Sequence, residues 1–345
     1  NQIASSYQQI RSDADREIGQ RVDVVNDALS KIEDLNGLIS RGVVTGADVT
    51  ALEDQRQQLI NTVNESIPVR ELQRENGKVD LMTPEGVFLL AGSARTVEFN
   101  PSPTMDASRT YNGGAGSLSG ISVEGKDITP GSGVQASAGG AIAGLFNVRD
   151  NAVPEMSLAL DALAADLIDR FSDAGLDPTV APGDPGLFTD NGAITDPTTL
   201  NGLSGRIEIN AAVDPGQGGE AYRIRDGIGA VLPAAAGSDA FVRAMISAMS
   251  DSRPTHAALQ SSGALNASEG AAHLASLAGG ARTQAVTQQT ASQALSQSLY
   301  EAEKLETGVD TDRELQNLLL IEQAYAANAR VLETVDQMIQ RLMEI

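Results

Sequence analysis

The C-terminal stretch of the sequence carries an apolar repeat that constrains the fold more than any other feature. Its members follow one another at steps of three and four residues: Leu318, Ile321, Tyr325, Asn328, Leu332, Val335, Ile339 and Leu342. This is the heptad pattern of a helix that packs along another helix. The same spacing recurs near the start of the chain, at Ile18, Val22, Val25, Leu29, Ile32, Asn36 and Ile39. The sequence therefore predicts long helices at both ends of the chain.

Two interpretations of the C-terminal stripe are open at this stage. A stripe of this kind commonly packs against another helix of the same chain. Alternatively, it binds a helix of a partner, and the polar Asn328 favours this interpretation, because a polar residue in such a seam specifies the register at some cost in stability. We therefore treat the eight stripe residues as candidate residues for assembly and partner binding.

Charge excludes two classes of partner. The 345 residues include 24 Lys plus Arg and 46 Asp plus Glu, which gives a formal net charge of -22. Such a surface repels phosphate backbones and anionic lipids, so we expect no nucleic-acid partner and no membrane partner. The sequence also lacks an apolar run long enough to cross a bilayer.

The sequence lacks the common motifs for catalysis and cofactor binding. Cysteine is absent, which removes disulfides, thiolate nucleophiles and cysteine metal ligands. His256 and His273 lie outside any zinc-protease motif, and the glycines form no nucleotide-binding motif. Asp184, Asp190 and Asp196 are close in sequence, but a solvated acidic loop is the simpler interpretation. We predict a protein that is not an enzyme, with no catalytic residue, no cofactor and no metal.

Helix and turn signals predict a mainly α fold with inserted β structure. We expect an elongated helical bundle or coiled-coil-like core, with long N- and C-terminal helices and small β-rich insertions. Asn76-Gly77 between two alternating runs indicates a hairpin, and "AYRIRD" at residues 221–226 reads as a short strand. The predicted segments are the first part of a helical domain at 1–66, a β-rich subdomain at 67–148, a core helix at 149–175, a short irregular and β insertion at 176–237, the second part of the helical domain at 238–312, and a C-terminal assembly helix at 313–345.

Three stretches of the sequence resemble a known family. Residues 317–338, "NLLLIEQAYAANARVLETVDQM", are similar to the C-terminal helix of bacterial flagellar axial proteins, which are the rod, hook and hook-associated subunits. Residues 52–71, "LEDQRQQLINTVNESIPVRE", resemble the FlgK type of hook-associated protein. Residues 139–171, "GGAIAGLFNVRDNAVPEMSLALDALAADLIDRF", resemble the Gly-Gly turn and long helix of the same family.

The resemblance implies a structural subunit of the bacterial flagellum. It implies an extracellular protein that is secreted through the flagellar type III export apparatus and joins hook to filament by helix-mediated self-assembly. The implied partners are copies of itself in a ring, the hook protein, the second hook–filament junction protein, and a cytoplasmic flagellar export chaperone on the C-terminal segment.

The sequence departs from the family pattern in two places. The family's N-terminal helix, which pairs with the C-terminal one, has no counterpart, so we expect the chain to begin inside the helical domain. Residues 175–239, where the family usually inserts an outer domain, are short, so we expect a reduced outer domain. The alternatives are another flagellar axial subunit of the hook or rod, a secreted carbohydrate-acting enzyme, and an adhesin built on the β region.

Overall fold

The computed structural model describes residues 1–112, 116–137, 139–307 and 315–330. Contacts divide the chain into a unit at Asn1–Ala278 and a unit at Gly279–Ile345. Helices predominate and the strands are short, so the predicted class, mainly α with small β-rich insertions, is confirmed.

The helices range from single turns to very long elements. They are α1 (Gln2–Thr45), α2 (Thr50–Ser66), α3 (Gly140–Asn147), α4 (Val153–Ser172), α5 (Leu203–Arg206), α6 (Arg223–Asp226), α7 (Ala240–Ser250) and α8 (Ala267–Thr307). A π-helical turn at Val148–Ala152 joins α3 to α4. Residues 315–330 are also helical.

The strands pair in small antiparallel sheets. They are β1 (Arg70–Gln73), β2 (Val79–Met82), β3 (Phe88–Ala91), β4 (Ser93–Ala94), β5 (Val97–Glu98), β6 (Ser122–Val123), β7 (Lys126–Asp127), β8 (Phe188–Asp190), β9 (Ile207–Ile209), β10 (Arg253–Pro254) and β11 (Ala264–Leu265). One sheet has the order β1-β2-β3-β4 and another β5-β6-β7, while β8 pairs with β9 and β10 with β11. The predicted hairpin at Asn76-Gly77 is confirmed, because β1 and β2 pair across these left-handed residues.

The apolar stripe of α1 is buried within its own chain. Ile18, Val25, Leu29, Ile32 and Ile39 are fully buried, and most of the stripe belongs to a core cluster shared with α2, α3 and the two larger sheets. Burying side chains of this size stabilises the fold by roughly 1.5–3 kcal/mol each. The N-terminal helix therefore belongs to the core of the first unit.

The polar member of the α1 stripe connects the helix to the hairpin. The Asn36 amide nitrogen donates to the carbonyl of Val79 at 2.8 Å, and the backbone N–H of Val79 donates to the Asn36 side-chain oxygen at 3.2 Å. The Arg56 guanidinium of α2 donates to the same oxygen at 3.0 Å. Asn36 thus fixes the position of β2 against α1 and α2.

A close backbone contact positions the start of α3. Gly140 has a φ of +80°, and a Cβ atom built on it would lie 2.4 Å from the carbonyl oxygen of Ser66 at the end of α2. Only glycine allows both the left-handed conformation and this approach. Helical structure therefore begins at Gly140 and continues through the π turn into α4, earlier than the start near residue 149 that the sequence predicts.

Replacing Gly140 with alanine is expected to lower the free energy of unfolding by about 1–3 kcal/mol, because the new methyl group adds backbone strain and a clash with Ser66. Urea unfolding followed by circular dichroism measures the change. Gly144→Ala is the matched control, since nothing lies within 4 Å of a Cβ at that position in α3. The control should be neutral or more stable by up to about 1 kcal/mol. Equal unfolding midpoints for both variants would contradict the prediction.

A buried arginine joins the π turn to α1. Arg149 has no exposed surface, and its guanidinium donates to the Asp15 carboxylate at 2.6 Å and to the Asp150 carboxylate at 2.8 Å. It also donates to the carbonyl of Ser119 at 3.0 Å and lies 4.5 Å from the ring centre of Phe146. These contacts satisfy a charge that would otherwise be costly to bury.

A second arginine extends this network. Arg11 donates from Nε to the Arg149 carbonyl at 2.8 Å, and its terminal nitrogens donate to the carbonyls of Asp106 at 2.9 Å and Arg109 at 2.6 Å. Burial lowers the pKa of the Arg11 guanidinium, and the nearby Asp150 carboxylate partly offsets this effect. The two arginines tie α1, the π turn and the segment that contains Asp106 and Arg109 into one body.

Residues 176–237 pack on α4 and α7 through apolar side chains. Two clusters form there: one contains Ala164, Ala165, Ile168, Leu200 and Leu203, and the other contains Phe171, Val213, Ile228, Phe241 and Met245. The predicted strand at residues 221–226 is wrong, because Arg223–Asp226 forms the helical turn α6. The Tyr222 hydroxyl and the Arg223 guanidinium donate to the carbonyls of Val231 and Ala230, so this segment folds onto its own loop instead of pairing with a strand.

Candidate assembly surface

The described members of the C-terminal stripe all lie on the surface. Leu318 is 61% exposed, Ile321 is 59% exposed and Tyr325 is 78% exposed, and Asn328 is also exposed. Their spacing of three and four residues places them on one face of the helix at residues 315–330. The remaining candidates, Leu332, Val335, Ile339 and Leu342, lie outside the described residues.

Apolar exposure in this helix is wider than the stripe. Leu315, Leu319 and Leu320 are also more than half exposed, although the heptad pattern did not select them. Successive residues of an α-helix are about 100° apart, so residues 315–321 present large apolar side chains in several directions. A helix that is apolar on several sides is normally buried by its neighbours. The run of four consecutive apolar residues at 318–321 is the sequence signal that could have predicted this wider apolar surface.

A second group of exposed apolar side chains lies on α8. Val286, Leu295, Leu299 and Tyr300 are each more than half exposed, and the Lys304 ammonium lies 4.5 Å from the Tyr300 ring centre. Leu295 and Leu299 are one turn apart and share a face. Sequence reasoning missed this group because α8 is rich in Ala, Gln, Ser and Thr, which dilutes its apolar periodicity. Leu295, Leu299 and Tyr300 lie within two turns of one another, and clustered exposed apolar side chains are typical of protein–protein contacts.

The first unit also has an open apolar groove of about 610 Å³ at the start of α1. Its walls include Ile3 of α1, Leu160, Leu163 and Leu167 of α4, and Met249 of α7. Ile3 is 57% exposed. The lining of the groove is mostly apolar and also includes the polar residues Asn1, Gln2, Asp166 and Ser204.

The titratable side chains that the sequence singled out have structural partners. The Asp184 carboxylate accepts from the backbone N–H of Ala181 at 3.0 Å. Asp190 pairs with the Arg206 guanidinium at 2.8 Å. Asp196 accepts from the backbone N–H of Thr198 at 2.8 Å and so caps a short helical turn. These carboxylates hold loops in place.

The histidines make similar local contacts. His256 Nδ1 accepts from the backbone N–H of Ala258 at 3.1 Å, and His273 Nε2 lies 2.8 Å from the carbonyl oxygen of Leu259. Across the described ranges, no group of three or more His, Cys, Asp and Glu side chains is placed to hold a metal ion. In the same part of the chain, no helix is both long and apolar enough to span a membrane.

Comparison with known proteins identifies similar sequences. Residues 1–186 match the family model described as flagellar hook-associated protein FlgK helical domain. Residues 306–345 match the family model described as flagellar basal body rod FlgEFG protein C-terminal.

Individual curated relatives are also flagellar hook-associated proteins. Flagellar hook-associated protein 1 of Escherichia coli (strain K12) is 31% identical over 229 residues, covering 62% of this chain and 38% of that protein. Flagellar hook-associated protein 1 of Salmonella typhimurium is 35% identical over 117 residues, covering 32% of this chain and 21% of that protein. The matched parts thus span well under half the length of these curated relatives.

A solved structure is also similar to part of the chain. The flagellar hook junction protein FlgK from Burkholderia pseudomallei aligns with a TM-score of 0.41 at 23% sequence identity, covering 54% of this chain and 33% of that chain.

Proposed function

Because the chain belongs to the family of the flagellar hook-associated protein FlgK, we propose that it is a structural subunit of the bacterial flagellum that joins hook to filament. The observation that carries this proposal is the order of the family matches. A FlgK helical domain at residues 1–186 is followed by an axial-protein C-terminal segment at residues 306–345. The first match supports the hook-associated subunit, and the second supports membership of the axial structure.

Assembly in this proposal proceeds through the exposed apolar side chains of the C-terminal part. Leu318, Ile321 and Tyr325 are exposed in the isolated chain, so a neighbouring helix can remove them from water. Asn328, Leu332, Val335, Ile339 and Leu342 continue the same spacing. Each large apolar side chain that becomes buried stabilises the contact by roughly 1.5–3 kcal/mol before the cost of ordering is subtracted.

The partners in this proposal are other flagellar proteins. They are copies of the chain in a ring, the hook protein, the second hook–filament junction protein, and a cytoplasmic export chaperone on the C-terminal segment. The protein leaves the cell through the flagellar export apparatus and has no catalytic role. Among the segments, residues 1–66 and 238–312 form the helical domain, and residues 313–345 act in assembly. The match to a rod-protein segment also favours a second candidate function, that of a hook or rod subunit.

Complementation separates these functions. The complete gene that encodes this chain should restore filament attachment in its own deletion strain, and a tagged copy should appear in purified hook–filament preparations between hook and filament. Deletion should leave hooks intact and release filament subunits into the medium. Truncated hooks in the deletion strain would instead support a hook or rod subunit. Intact filaments in that strain would overturn the structural role.

A further inference from the structure

The helix α8, which is second in length to α1 among the described helices, contains a glycine pair in its interior. α8 runs for 41 residues, and Gly279 and Gly280 lie near its middle. The division between the two compact units falls between Ala278 and Gly279. Glycine is the least favourable residue in a helix interior after proline, so an adjacent pair weakens the helix at this point.

Neither glycine is required by packing or by backbone conformation. A Cβ atom built at Gly279 or Gly280 would have nothing within 4 Å, and neither residue has a left-handed φ. Gly270 in the same helix differs, since a Cβ there would lie 3.2 Å from Leu163 Cδ1. Alanine would therefore fit at both positions and would strengthen the helix. Packing and backbone conformation in the chain therefore do not explain the pair.

Side-chain hydrogen bonds weaken α8 further at the glycine pair. The Thr283 hydroxyl donates to the carbonyl of Gly279 at 2.9 Å, and Thr287 donates to the carbonyl of Thr283 at 2.9 Å. A threonine hydroxyl that bonds the carbonyl four residues earlier competes with the backbone N–H and often bends a helix. The residues of α8 from Gly279 to Lys304 are exposed, so burial does little to hold this stretch straight.

We propose that Gly279 and Gly280 form a hinge at which α8 bends reversibly. Helix kinks occur at glycines and where a side chain enters the backbone ladder, and both features coincide here. Hinges concentrate the change of φ and ψ in a few residues, which are often small. Such a bend changes the direction of α8 beyond Gly280. In the assembled ring, which rests on the proposed function, this freedom accommodates neighbouring subunits.

Distance measurements between spin labels test the hinge directly. The chain has no cysteine, so Ala272→Cys and Gln293→Cys introduce two unique and exposed labelling sites on either side of the pair. In a straight helix their backbones are about 31 Å apart. Pulsed electron paramagnetic resonance on the full chain should give a broad distribution that extends to shorter distances. Adding Gly279→Ala and Gly280→Ala should narrow it to one peak near the straight-helix value.

Hydrogen exchange gives a second readout. Each glycine-to-alanine change should raise the protection of amides around residues 276–284 by roughly fivefold. Gly144→Ala, added to the labelled chain as a control, should leave the distances unchanged, because it lies in α3. Distance distributions that are the same with glycine and with alanine, whether narrow or broad, would overturn the hinge. The measurement uses the unassembled chain, so its result is independent of whether the protein acts at the hook–filament junction.

Discussion

Replacing Arg149 with methionine is expected to lower the free energy of unfolding by about 3–5 kcal/mol. The change removes the cation that lies between Asp15 and Asp150, and Asp15 keeps only 3% of its side chain exposed. Its carboxylate is then left buried with the backbone N–H of Ser102 as a remaining donor at 2.6 Å. Methionine fills similar space without restoring a charge. Urea unfolding followed by circular dichroism measures the loss.

Two further variants separate charge from packing. Lys31→Met removes a cation from an exposed pair with Asp27, and it should change stability by less than about 0.5 kcal/mol. Asp15→Leu combined with Arg149→Met removes both members of the buried pair, so the double variant should be more stable than Arg149→Met alone. If the single variant unfolds like wild type, the buried network is not important for stability.

Replacing Leu318 and Ile321 together with aspartate is expected to abolish assembly while leaving the melting temperature nearly unchanged. Both side chains are exposed in the isolated chain, so the substitution removes no buried contact there. At an apolar interface, the same two carboxylates would each cost several kcal/mol if they stayed ionised and unpaired. The measurements are thermal unfolding of the purified protein and complementation of motility in a strain that lacks the complete gene.

The opposite side of the same helix provides the control. Gln316→Asp together with Gln323→Asp adds the same charge and similar helix propensity, and both positions are exposed on the face away from Leu318 and Ile321. This variant should assemble better than the Leu318 and Ile321 variant, because it removes no apolar side chain from the helix. If both double variants assemble, the stripe is not a contact surface. If the Leu318 and Ile321 variant melts at a much lower temperature, the stripe belongs to the core of its own chain.

Single helices and turns could be predicted from the sequence because they depend on residues that are close together in the chain. Heptad spacing near the start of the chain predicted a long helix, and α1 (Gln2–Thr45) contains the whole stripe from Ile18 to Ile39. Asn76-Gly77 specified a hairpin because both residues adopt left-handed conformations that suit them. The strand predicted at residues 221–226 is wrong because an alternating pattern does not supply a neighbouring strand. Here the backbone N–H groups of Arg225 and Asp226 both donate to the carbonyl of Tyr222 at 3.0 Å, so the segment closes into a helical turn.

The sequence by itself determined which residues form apolar stripes, and the tertiary structure decided what covers them. The stripe of α1 and the C-terminal stripe have the same spacing, and each contains one asparagine. Asn36 is buried and bonded to the hairpin, whereas Asn328 is exposed. The periodicity of apolar residues shows only that one face of the helix is apolar. Whether residues far away in the chain or another molecule covers that face depends on long-range packing, which spacing along one helix cannot encode.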